Sequence, residues 1–118
     1  LIGYSGGGAV ATLLASKRND IKNLITIAGN LDIEKWVSIH KISKLDGSLN
    51  PADFTHLLEN IKQYHIVGNI DEIVPKDIFM SFYSKVDDQK HINYIYADSN
   101  HSCCFKSAFE EVLNKINE

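Results

Sequence analysis

Ser5 stands in Gly3-Tyr4-Ser5-Gly6-Gly7, the Gly-x-Ser-x-Gly spacing of a nucleophile elbow. In such a turn a strand reverses sharply into a helix, and glycines two before and two after the serine leave out the Cβ atoms that would collide. The strained serine points its Oγ away from the chain, where a base and a substrate can reach it. The chemistry this permits is nucleophilic attack, but a serine hydroxyl is a poor nucleophile at neutral pH. It needs a histidine to take its proton and a carboxylate to hold that histidine in the right tautomer.

The chain offers His40, His56, His65, His91 and His101. His65 and His91 lie in or at the start of apolar strand-like runs, where burial or strand-end exposure explains them. His40 and His56 fall in an irregular stretch and are expected to be solvated. His101 lies in Ala97-Asp98-Ser99-Asn100-His101-Ser102, a loop between a strand and the last helix, and is the candidate base. Asp71, in Gly68-Asn69-Ile70-Asp71-Glu72-Ile73-Val74-Pro75, directly follows a strand and precedes the histidine, so it is the candidate acid. Asp32 holds the comparable place after an earlier strand and is its main rival; Asp98 could contact His101 locally.

The elements that must position these groups alternate. Leu1-Ile2 reads as the end of a strand and Gly8–Arg18 as a small-residue helix that can pack close to a sheet. Asn23–Ala28, Gln63–Val67 and Asn93–Ala97 read as short buried strands. A helix is expected from Pro75 to about Val86, with Pro75 opening its first turn. Phe105, Ala108, Phe109, Val112, Leu113 and Ile116 mark one apolar face of a last helix. Residues 31–61 break the alternation and are expected to form a partly helical, lid-like excursion over the sheet end. Within it, Trp36 and Phe54 are candidates for an acyl pocket, with burial in the core or lid as the blander role. Strand–helix alternation gives a mostly parallel sheet with flanking helices, an α/β fold. Chemistry in such sheets gathers beyond the carboxyl ends of the strands.

Taken together, the Gly3–Gly7 elbow, the Gly68–Pro75 acid segment and Asn100-His101-Ser102 make the chain resemble the C-terminal half of an α/β-hydrolase fold serine hydrolase. The resemblance runs from residue 3 to residue 102. It implies Ser5 as nucleophile, Asp71 as orienting acid, His101 as general base and acid, and the backbone N–H of Gly6 as one oxyanion donor. It implies a hydrolase that cleaves an ester, thioester or amide of a small-molecule acyl substrate through an acyl-enzyme, with no cofactor and no metal. Two alternatives belong to other readings: a non-catalytic or inactive truncated protein that keeps the fold, and a prolyl-oligopeptidase-like peptidase. The interval between Ser5 and Asp71 leaves room for one strand and a small lid, not a large cap domain.

The resemblance also implies strands, helices and a second oxyanion donor ahead of the elbow, which these residues do not include. Residues 1–118 are therefore expected to be the C-terminal portion of one such domain, through truncation or gene decay. Alone they are expected to be inactive and to expose a sheet edge that invites aggregation.

Composition narrows the partners. The 118 residues are 44% hydrophobic and 23% charged, as in ordinary globular domains. A net charge of -3 with scattered Lys and Arg argues against nucleic acid or an anionic membrane as the main partner. No apolar run approaches the ~20 residues of a membrane span. Cys103 and Cys104 are adjacent, a spacing that rarely meets disulfide geometry, and are expected to be two unbonded small residues at a helix start.

Overall fold

The computed structural model describes residues 1–43 and 47–117. Strands β1 (Ile2–Tyr4), β2 (Asn23–Ile27), β3 (Lys62–Gly68) and β4 (Ile92–Ala97) lie side by side in chain order, every neighbouring pair parallel. Helices α1 (Gly6–Lys17), α2 (Ile33–His40) and α3 (Lys76–Ser84) occupy the three connections, and α4 (Lys106–Ile116) follows β4. Parallel crossovers are right-handed, so connections that all step in one direction place their helices on one face. Ala11 and Ala15 of α1 and Phe79 and Phe82 of α3 accordingly share one core cluster with Leu24, Val67 and Ile92. On the opposite face, Ala108 and Val112 of α4 pack on Ile25, Tyr64 and Ile66. Successive strand residues point to opposite faces, which is why Leu24 and Ile25 serve different clusters.

The two inner strands are covered on both sides, so they read as apolar runs rather than alternating ones. One polar row crosses them. Thr26 and His65 are register partners, and the Thr26 hydroxyl donates to His65 Nδ1 at 2.6 Å. His65 Nε2–H donates to Gln63 Oε1 at 2.8 Å, so the neutral ring is satisfied at both nitrogens. Burial pushes the His65 pKa down from 6.5 to about 3.

The excursion between β2 and β3 holds α2 and two 3-10 turns, Pro51–Asp53 and Thr55–Leu57, in place of an amphipathic stretch; its residues 44–46 lie outside the described residues. Its root is Asp32, a buried carboxylate. Asp32 caps α2 through the Lys35 amide at 3.3 Å and accepts from Asn50 Nδ2 at 2.9 Å, Ser81 Oγ at 2.6 Å and Lys85 Nζ at 3.1 Å. Burial alone would raise its pKa; the donors Ser81, Asn50, Lys85 and the Lys35 amide outweigh that and hold it below the ordinary value.

Candidate active site

β1 ends at Tyr4 and α1 begins at Gly6, so Ser5 alone makes the turn. Its backbone sits at φ 52 and ψ -120, a conformation a side-chain-bearing residue rarely adopts. The turn is held by Ser5 N–H donating to Ile27 O at 2.9 Å, and by Ser5 O accepting from Gly8 N and Asn30 N at 2.9 and 3.2 Å. A Cβ on Gly3 would lie 2.1 Å from Gly7 O, so the glycine before the serine is required by close approach. The glycine two after it is not: a Cβ on Gly7 meets nothing within 4 Å among the described residues. The tight position is Gly8, whose Cβ would lie 2.9 Å from Gly29 Cα where α1 crosses the end of β2.

Asp71 follows β3 and His101 follows β4, so all three groups stand past the carboxyl ends of parallel strands. Ser5 Oγ is 2.9 Å from His101 Nε2, and His101 Nδ1 is 2.8 Å from Asp71 Oδ2. Asp71 is fully buried at its side chain, while His101 keeps 16% of its side chain exposed. The other Asp71 oxygen, Oδ1, accepts from the Ile73 and Val74 amides at 2.9 and 2.8 Å, which fixes the carboxylate's rotation. A carboxylate accepts from Nδ1–H, which leaves Nε2 as the acceptor for the serine proton. Gly68 lets the histidine loop close over β3: a Cβ there would lie 2.7 Å from Ser99 O and 3.3 Å from Asn100 O.

The structure separates the rival acid from this arrangement, since Asp32 is committed to α2, Asn50 and α3. It also corrects two expectations. His40 is tied down, with Nε2 donating to Ile73 O at 2.7 Å beside the Trp36 ring. Cys103 and Cys104 are bonded to each other, and Cys104 takes φ 82, a turn of the backbone that brings neighbouring sulfurs onto one side.

Three contributions were not foreseen from the sequence. Tyr4, which directly precedes Ser5, donates its hydroxyl to His101 O and lays its ring beside the imidazole at 5.3 Å. Ile73 O receives both His40 and Trp36 Nε1, the latter at 2.9 Å, so α2 braces the acid loop. Asn30 has a buried Oδ1 with no hydrogen-bond partner among the described residues and lines the cleft beside Ser5. That cleft measures about 390 Å³ and is walled by Val10, Leu13, Ile33, Trp36 and Ile73; Phe54 is not among its lining residues. A larger cavity of about 700 Å³, edged by Arg18, Lys22, Lys62 and Lys115, lies at the opposite ends of the strands. Among the described residues no group of acidic, histidine and cysteine side chains could hold a metal ion, and no helix is long and apolar enough to cross a membrane.

Comparison with solved structures agrees on the architecture. An esterase from Pyrococcus furiosus superposes with TM-score 0.74 at 16% identity, over 98% of this chain and 49% of that one. The esterase domain of a Rhodothermus marinus protein gives 0.72 at 21% identity, over 96% of this chain and 56% of that one. A puromycin-hydrolyzing peptidase from Mycobacterium tuberculosis gives 0.70 at 18% identity, over 86% of this chain and 18% of that one. The chain thus spans about half the length of the two esterase chains. Curated protein sequences yield no significant match. The family model for "Serine hydrolase (FSH1)" matches residues 1–111. With a parallel α/β sheet of the α/β-hydrolase type and a family match over nearly its whole length, the chain belongs to the FSH1 serine hydrolase family.

Proposed function

We propose that Ser5 is the nucleophile of a hydrolase that cleaves an ester, thioester or amide through an acyl-enzyme. The observation that carries this reading is the hydrogen-bonded chain from Ser5 Oγ through His101 to the buried Asp71, set on a strained strand-to-helix turn. As Ser5 Oγ attacks the acyl carbonyl carbon, its proton passes to His101 Nε2. Asp71 stabilises the imidazolium through Nδ1–H without taking the proton itself. The carbonyl oxygen becomes an anion next to the start of α1, where the Gly6 amide has no intrahelical acceptor and the helix end favours negative charge. His101 then protonates the leaving group, and water attacks the acyl-enzyme with His101 as base. The acyl group lies in the apolar cleft against Val10, Leu13, Ile33 and Trp36.

The test is labelling of the intact protein with a fluorophosphonate. Labelling is expected at Ser5, lost in Ser5→Ala and kept in Ser16→Ala. Labelling that persists in Ser5→Ala removes Ser5 as nucleophile; a native protein that never labels favours the non-catalytic alternative. Parallel p-nitrophenyl ester and peptidyl anilide assays separate an esterase from a peptidase.

A further inference from the structure

Two residues beyond His101 the backbone passes through the bonded pair Cys103–Cys104, and both cysteines are exposed, open to a thiol in solution. The loop that carries His101 is closed on either side of it. Upstream, Ser99 O accepts from Ile70 N at 3.2 Å, and Ser99 and Asn100 lie against Gly68 with no room for a Cβ. Downstream, Ser99 Oγ reaches across the loop to donate to Cys104 O at 2.7 Å. Between these points Asn100 Oδ1 accepts from the Ser102 and Cys103 amides at 2.9 and 3.1 Å. The Ser99–Cys104 closure depends on Cys104 staying at φ 82, a region that L-residues seldom adopt. A bridge between neighbouring side chains closes a small ring over that peptide and supplies the constraint.

We propose that Cys103–Cys104 is a thiol-exchange site whose oxidation state sets the placement of His101, and through it the reactivity of Ser5; the second half of this rests on the hydrolase reading. The reactant is a dithiol reductant. Its thiolate attacks the sulfur of one cysteine, the Cys103–Cys104 bond breaks, and the other cysteine leaves as a thiolate that takes up a proton. The reductant's second thiol then attacks the mixed disulfide and frees the first cysteine. The protein gains two electrons and two protons; the dithiol loses them and becomes a disulfide. With the ring open, Cys104 returns to negative φ, its carbonyl swings off Ser99 Oγ, and the loop loses its closure. Tyr4 still holds His101 O, so the histidine is loosened rather than released. A misplacement of about 1 Å at a catalytic group costs as much as 10²-fold, and the Tyr4 tether limits the expected loss to about tenfold.

The experiment follows the intact protein before and after dithiothreitol, with free thiols counted by Ellman's reagent, Ser5 labelling rate measured with a fluorophosphonate, and amide exchange followed at residues 99–104. Reduction is expected to expose both cysteines, slow labelling about tenfold and raise exchange in the loop, all reversed by diamide. The double variant Cys103→Ser/Cys104→Ser, checked for folding by its melting curve, should label at the slow rate and ignore dithiothreitol. Two free thiols in the untreated protein, or a labelling rate that stays constant while both thiols appear, overturns the proposal. So does a double variant that still responds to the reductant. Should Ser5 label in neither state, the hydrolase reading fails and amide exchange alone decides the loop: protection lost on reduction supports the exchange site, and unchanged protection overturns it.

Discussion

Asp71→Asn tests the arrangement at one atom, because the structure leaves the new amide a single orientation. Oδ1 of Asp71 accepts from the Ile73 and Val74 amides, so the asparagine oxygen must take its place. The flipped rotamer would set an NH₂ against two N–H donors and forfeit two hydrogen bonds, each worth about 1 kcal/mol net and more when left buried. The NH₂ therefore faces His101 Nδ1, 2.8 Å away, and that nitrogen must become the acceptor. The ring proton moves to Nε2, where it aims at Ser5 Oγ across 2.9 Å and blocks the transfer the serine needs. A wrong tautomer of this kind lowers kcat by about 10⁴, or about 5 kcal/mol of activation free energy. The assay is steady-state hydrolysis of a p-nitrophenyl ester at pH 7 by the intact protein, with a thermal melt as control. KM should move by no more than a few-fold, since Asp71 is buried behind the histidine, and the near-isosteric variant should melt within a few degrees of its parent. A variant that keeps kcat within tenfold of the parent, with an unchanged melt, would refute this account of how His101 is oriented.

Three further outcomes follow from the geometry. His65 stays neutral when folded, down to about pH 3, while the unfolded chain protonates it below 6.5. Its share of stability is whole above pH 6.5 and falls by about 1.4 kcal/mol per unit as pH drops toward 3, so urea melts at pH 7 and pH 5 should differ by about 2 kcal/mol from this residue; His65→Leu should remove that part of the slope. Gly3→Ala forces a Cβ to 2.1 Å from Gly7 O and should cost at least about 3 kcal/mol or prevent folding, read as lost soluble yield; a stable Gly3→Ala protein would show that the turn is looser than drawn. Gly68→Ala puts a Cβ 2.7 Å from Ser99 O and should lower kcat about 10–100-fold with KM little changed, whereas an unchanged kcat would mean that the loop absorbs the push without moving His101.

Much of this was legible in the chain because each signal was local. Gly3–Gly7 is a five-residue pattern with a steric cause at Gly3. The inner strands β2 and β3 announced themselves through double-sided burial, and α4 through its 3.6-residue periodicity. Asp71 and His101 could be nominated together because each lies in a loop after a strand, and parallel strands bring such loops to one end of the sheet. What the sequence hid depends on contacts between distant segments. Tyr4 meets the His101 backbone, and His40 and Trp36 meet Ile73 O, across intervals no motif spans. The short turns at 51–57 are governed by Pro51 and the Asn50 side chain, which accepts from Ala52 N at 3.3 Å and overrides a weak amphipathic pattern. Spacing alone spoke against a Cys103–Cys104 bond, because the left-handed backbone at Cys104 cannot be read from residue types.

The Asp32 staple bears on how such a chain can change over time. One carboxylate fastens the start of the excursion to Asn50 farther along it, to Ser81 on the neighbouring helix and to Lys85 just past that helix's end. The segment above it is thereby pinched off at its base, so additions between those points need not disturb the strands beneath. Doubling the length of a flexible loop costs only about 0.6 kcal/mol in closure entropy. Apart from Trp36 and His40, which hold Ile73 O, positions between Asp32 and Asn50 can thus be lengthened, trimmed or exchanged among descendants. Ile33 and Leu49, which line the cleft, fall among them. Variation in what is accommodated can accumulate there while Ser5, Asp71 and His101 stand on ground that does not move.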